Sequence, residues 1–163
     1  MAISTVVKTL RDGKIEIEDG TGTPISMEVQ YEAGDLSISG LTEGQREITP
    51  YYDRMDLCSL RTGQQTFPTF SFTTHMTDLS DGTEKCLLDV VNKTGAFSAG
   101  ISTRGANAPW CTKLTFSCEG TDHGDASDHV ITLDDCRLSV DFSEGDPNSY
   151  SLSGTAYGTI TFT

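Results

Sequence analysis

Five side chains able to hold a divalent cation fall within eight residues, in the run Asp122-His-Gly-Asp-Ala-Ser-Asp-His129. Carboxylate oxygens and imidazole nitrogens are the donors that hard and borderline ions select, and a turn can gather them round one ion. The spacing argues against it. His123 and His129 are six residues apart, which suits neither one helical face nor a zinc-ligand pattern. The terminal acid of a calcium loop is also missing. The run reads as an acidic hairpin loop in solvent, with no metal expected.

Hydrolytic chemistry finds no better footing. Serine, histidine and aspartate are all present, but there is no Gly-x-Ser-x-Gly elbow, and neither His75 nor His123 sits in a signature that would position a nucleophile. Gly20-Thr-Gly22 lacks the Lys-Ser/Thr of a phosphate loop and reads as a turn. The paired acids Asp134 and Asp135 lie at a strand boundary, where they would shape a tight turn. Phe67, Phe70 and Phe72 have the spacing of an inward strand face, so they are expected in the core and not in a sugar-stacking strip. No catalytic residue and no cofactor are expected.

The five cysteines (Cys58, Cys86, Cys111, Cys118, Cys136) make an odd set without a CxxC pair. Residues 1–10 do not have the make-up of a secretory leader, so reduced thiols in a cytoplasmic setting are expected. Cys118 and Cys136 occupy apolar positions of strand-like runs, as small core side chains do. No run approaches the roughly 20 apolar residues of a membrane span.

Charge excludes a further class. The chain carries 24 acidic and 11 basic residues, a formal net charge of −13 in 163 residues. Gripping nucleic acid needs Lys and Arg to displace counterions from phosphates, so any role with DNA is one of passage or containment.

The elements that must carry these residues are short and alternating. Lys14-Ile-Glu-Ile-Glu18 alternates and is followed by the turn chemistry of Asp19-Gly-Thr-Gly22. Ile25, Met27, Val29 and Tyr31 share one face of the next run, and Leu36-Ser-Ile-Ser39 completes a meander. Further strands are expected over residues 69–76, 113–118, 130–133, 136–142, 150–154 and 157–162. One helix is expected over residues 83–92, capped by Asp81 or Thr83 and followed by Gly95, with Cys86, Leu87, Val90 and Val91 on its apolar stripe. Residues 42–66 break the rhythm. They hold Arg46, Arg54 and Arg61 with Tyr51, Tyr52 and Met55 between them, and a stretch this long without periodicity is more often functional than idle. Tyr and Arg concentrate binding energy at protein interfaces, so an interface arm is expected. The fold class is mainly β: a β-sandwich or barrel with one packed α-helix and a long extended loop, in a single domain over residues 1–163.

Three stretches together resemble the tail tube proteins of long-tailed bacteriophages. They are the opening hairpin from Gly13-Lys-Ile-Glu-Ile-Glu18 to Tyr31, with the short strand that follows; the arm around Tyr52-Asp-Arg54 with Pro68-Thr-Phe-Ser-Phe72; and the ending that runs from Thr132-Leu-Asp-Asp-Cys136 through Phe142-Ser-Glu-Gly-Asp-Pro147 to Ser151-Leu-Ser-Gly154-Thr-Ala-Tyr-Gly158. Met55 stands where a glycine is expected. The resemblance implies a non-enzymatic virion protein, assembled in the host cytoplasm, whose hexameric rings stack into a hollow tube that conducts double-stranded DNA, with other tail proteins at the tube ends. It implies that Arg46, Tyr51, Tyr52, Arg54 and Arg61 meet the neighbouring ring, and that Glu16, Glu18, Glu28 and Glu32 are candidates to line the lumen. A carbohydrate- or protein-binding β-sandwich on a virion or secreted particle is the alternative.

Overall fold

The computed structural model describes residues 13–29, 34–42, 44–120 and 126–163. Ten strands and one short helix follow in the order β1 (Lys14–Glu18), β2 (Ser26–Val29), β3 (Ser37–Ser39), β4 (Arg46–Asp53), β5 (Asp56–Gln65), β6 (Thr69–His75), α1 (Leu87–Asn92), β7 (Thr112–Cys118), β8 (His129–Ser143), β9 (Ser149–Ala156) and β10 (Ile160–Phe162). The main sheet has the order β2-β1-β7-β8-β9-β6-β3, with β10 paired to β8, and every pairing is antiparallel. The expected mainly-β architecture with one packed helix is what the chain forms.

Two expected strands are one. β8 runs unbroken through Asp134 and Asp135, and its first half pairs with β7 and β10 while its second half pairs with β9. The two acids form no tight turn. Thr112 partners Cys136 while Leu114 partners Leu133, so β8 carries an extra residue there, and Asp135 adopts φ 55°. Such a bulge bends a strand without ending it. The bend is fastened from outside: the Asp135 carboxylate accepts from Thr103 Oγ1 at 2.7 Å and pairs with Arg104 Nη1 at 3.1 Å.

The inward faces of both halves of the sheet meet in one core. Ile15, Ile17, Leu114 and Phe116 come from one half, Phe70, Phe72, Tyr150 and Leu152 from the other, and α1 adds Leu87 and Val90. Full burial of such side chains contributes about 1.5–3 kcal/mol each, which is the main force holding the halves together. Cys118 and Cys136 lie in this core as expected. Burial pushes the Cys136 thiol up to about 12, so it is a packing group and not a nucleophile. Phe67 does not join the core; it is exposed and packs edge-on against Tyr157, with ring centroids 4.9 Å apart.

The helix is shorter than its sequence pattern suggests. The backbone N–H groups of Thr83 and Glu84 donate to Asp81 Oδ1 at 2.6 and 2.9 Å, a local loop that competes with helix initiation. The first turn therefore forms only after Cys86, which makes no side-chain cap, and Lys93 in the left-handed region ends the helix two residues before Gly95. Asp89 is fully buried. Its carboxylate accepts from Ser80 Oγ (2.6 Å), Thr94 Oγ1 (2.7 Å) and the N–H of Asp81 (3.1 Å), so both flanking loops hang on one side chain. Asp19 plays the same part at the β1–β2 turn, accepting from Ile25 N–H, Thr21 Oγ1 and the distant Ile101 N–H.

Candidate functional site

The described residues of 42–66 do form an arm, but as a β-hairpin of β4 and β5 and not as irregular chain. β4 and β5 pair only with each other, and every residue of both strands is exposed except the half-buried Gly63. The register explains why the sequence showed no rhythm. It shifts between Arg46 and Ile48 and again between Tyr51 and Tyr52, where β5 carries an extra residue, Cys58. Two bulges scramble the alternation of β5 while that of β4 continues.

Once the register is followed, the arm is amphipathic. Ile48 faces Thr62, Pro50 faces Leu60 and Tyr52 faces Leu57 on one side. Thr49 faces Arg61 and Tyr51 faces Ser59 on the other. The first side exposes Ile48, Tyr52, Leu57 and Leu60 to 59%, 66%, 56% and 60% of their surface. No residue of this chain's core comes from the arm. Contiguous apolar surface of this kind marks a contact site.

The tip is strained. Arg54 and Met55 form the two-residue connection with φ 48° and 74°, a conformation that glycine and asparagine adopt with ease and that costs other L-residues about 1–2 kcal/mol each. Met55, in the place where a glycine is expected, is 95% exposed. Of the expected arm residues, the structure brings Tyr51 and Arg61 to one side and puts Tyr52 on the apolar side. Arg46 stands at the base, Arg54 at the tip, about 25 Å away along the strand. The three arginines are therefore spread along the arm, and none pairs with a carboxylate among the described residues.

The expected acidic face is also partly there. Glu16 lies directly opposite Glu28, and Glu18 follows on the same outward side of β1. Lys14 shares that side, and Lys113 pairs with Glu18, so the face carries both signs. Glu32 lies outside the described residues. Of the acidic loop, residues 122–125 lie outside them too, while the Asp128 carboxylate accepts from Gly120 N–H at 3.2 Å and His129 opens β8. Among the described residues no three His, Cys, Asp or Glu side chains converge on a common point.

Sequence reading missed a third surface, the outward face of β3, β6, β9 and the second half of β8. Ser37, Ser71, Ser153 and Ser139 are register partners in one row across all four strands. The row beside it is Ser39, Thr69, Thr155 and Arg137. A broad, open cleft of about 610 Å³ lies over these rows. The signal was present in the sequence as serine at every second position of β3 and β9, but only the register aligns the serines.

The fold as a whole is shared with chains of solved injection-system assemblies. A chain of the sheath–tube complex of an extracellular contractile injection system in its extended state superposes with TM-score 0.55 at 12% identity, over 99% of this chain and 93% of that one. A chain of the sheath/tube terminator of the same kind of system gives 0.56 at 12% identity, over 99% of both chains. The tube-terminating cap of the anti-feeding prophage gives 0.53 at 12% identity, over 100% of this chain and 94% of that one. At this identity the likeness is one of fold. No protein-family model and no curated protein matches the sequence. Among the described residues no helix is long and apolar enough to cross a membrane.

Proposed function

We propose that this chain is a structural, non-catalytic subunit of a tail tube, self-assembling through the β4–β5 arm. The observation that carries the proposal is the apolar side of that arm, which no described residue of its own chain covers. A strained two-residue tip and exposed Leu57 and Leu60 make an arm poorly supported as a free hairpin, since isolated two-stranded hairpins are marginal in water. A neighbouring copy supplies the missing surface. Contact between the arm of one subunit and a different surface of the next is heterologous, and such contacts build rings or open filaments.

The finer reading is that of a long-tailed bacteriophage virion: hexameric rings, stacked through Arg46, Tyr51, Tyr52, Arg54 and Arg61, capped by other tail proteins and conducting double-stranded DNA. Fold neighbours in injection-system tube assemblies support the tube. The net charge of −13 supports passage of DNA without retention. The arginines, without acidic partners among the described residues, are suited to meet acids of another subunit and to fix register between rings.

The test is deletion of residues 42–66, closed by a short Gly/Ser link between the neighbouring strand ends. A soluble monomer that unfolds cooperatively and no longer assembles is the expected product. Loss of cooperative unfolding would make the arm part of the fold's core and remove the basis of the proposal.

A further inference from the structure

We infer that the serine- and threonine-covered face of β3, β6, β9 and the second half of β8 is the wall of the bore, and that the glutamate face of β1 and β2 is not. The inference rests on the tube reading above. Its first support is composition by position: Ser37, Ser71, Ser153 and Ser139 stand side by side across four strands, all exposed. Strand surfaces favour β-branched and aromatic side chains, so a row of the smallest hydroxylic side chain is not what sheet stability alone would select. Its second support is charge. In a chain of net −13, the outward positions of these strands carry one guanidinium, Arg137, and one carboxylate, Asp141, which cancel.

Such a face suits a polyanion in transit. It offers no cluster of cations to exchange for the counterions of phosphate, and the one aromatic side chain lining the cleft, Tyr157, is packed edge-on against Phe67 and not laid open as a stacking platform. Hydroxyls donate and accept and rotate freely, so they hold a water layer that a passing duplex exchanges with at little cost. The face also lacks the apolar anchors of a protein interface, in contrast to the arm. The opposite outward face mixes Glu16 and Glu28 with Lys14 and Lys113, a pattern suited to contact with charged neighbours or solvent.

Thiol labelling of assembled tubes tests the assignment. Of the five native cysteines only Cys58 is exposed, so the unaltered protein, labelled in parallel, gives the Cys58 signal against which Ser153→Cys is read. Tubes are treated with biotin-maleimide and then with streptavidin, and the same sample is dissociated as a control. The expected result is a thiol that takes up the small maleimide in the tube, loses streptavidin binding along the wall, and regains it on dissociation. Streptavidin bound along the outside of the tube beyond that of the unaltered protein would overturn the assignment while leaving the tube reading intact. A Ser153→Cys thiol closed to the small maleimide, or a Ser153→Cys chain that fails to assemble where the unaltered protein succeeds, would place Ser153 in a subunit contact and overturn it equally. Absence of any tube from the unaltered protein would instead remove the tube reading, and this inference with it.

Discussion

Asp53 and Asp56 are register partners across the tip of the arm, with only Arg54 and Met55 between them. Like charges directly opposed on a strand pair are destabilising, and here the one compensating charge nearby is the Arg54 guanidinium. The tip thus gathers two opposed carboxylates and two side chains in a backbone region that suits glycine. Each feature costs the isolated hairpin stability, and together they point to a tip shaped for contact with another molecule.

Arg54→Glu would put three acids in the four residues from Asp53 to Asp56. Because the position is exposed and outside the core, the thermal stability of the subunit is expected to change by no more than about 0.5 kcal/mol. Filament growth, followed by sedimentation, is expected to stop. Unimpaired polymerisation would remove Arg54 from the subunit contact.

Met55→Gly relieves the left-handed strain at the second turn residue. A gain of about 1 kcal/mol in hairpin stability is expected, seen as amide exchange in β4 and β5 slowed by about fivefold in the unassembled subunit. If the exposed Met55 side chain also serves the contact, the same variant assembles less well despite its better-formed arm.

Asp89 ties residues 80, 81 and 94 to the helix, and it contributes to the acid response of this region. Burial pushes its carboxyl up, but hydrogen bonds from Ser80, Thr94 and the N–H of Asp81 outweigh that and leave it below the usual value of 3.8. A lowered folded value means that the stabilisation is complete at pH well above 3.8 and is lost as pH falls through the folded value. Asp89→Ala leaves these donors without their acceptor and is expected to cost about 3 kcal/mol at neutral pH. Urea titrations at pH 7 and at pH 3 check both statements: the gap between wild type and variant should narrow at the lower pH.

Gly154 lies in β9 between Phe70 on β6 and Leu138 on β8. A Cβ at this position would sit 2.5 Å from the Phe70 ring and 2.7 Å from the Arg137 carbonyl oxygen. Gly154→Ala is expected to cost about 1–3 kcal/mol by displacing the ring or the strand, measured as a lowered thermal midpoint.

How much of this was legible in the sequence depended on whether the pattern was local. Ile15 and Ile17, Phe70 and Phe72, and Leu114 and Phe116 alternate within single strands, and each pair lies in the core as its spacing implies. The arm was legible as an interruption but not as a hairpin, because two bulges in β5 hide an apolar side that is contiguous only in the paired strands. Asp134 and Asp135 looked like a turn because acids are rare inside strands; Thr103 and Arg104, far along the chain, engage Asp135, and Thr159 donates to Asp134. Asp89 sits among apolar residues of the helix, and its buried role depends on loop hydroxyls that no periodicity marks. The hydroxyl face is the clearest case, since a row across four strands has no linear signature at all.

The most direct test of the account is electron microscopy with light scattering on the concentrated wild-type protein beside the Leu57→Ser/Leu60→Ser variant. Both substitutions lie on exposed positions of the arm, so circular dichroism and the thermal midpoint should be unchanged. The account predicts rings or tubes of uniform bore from the wild type and only monomers from the variant. A variant that assembles as the wild type does, or a wild type that stays monomeric at every concentration, would contradict it.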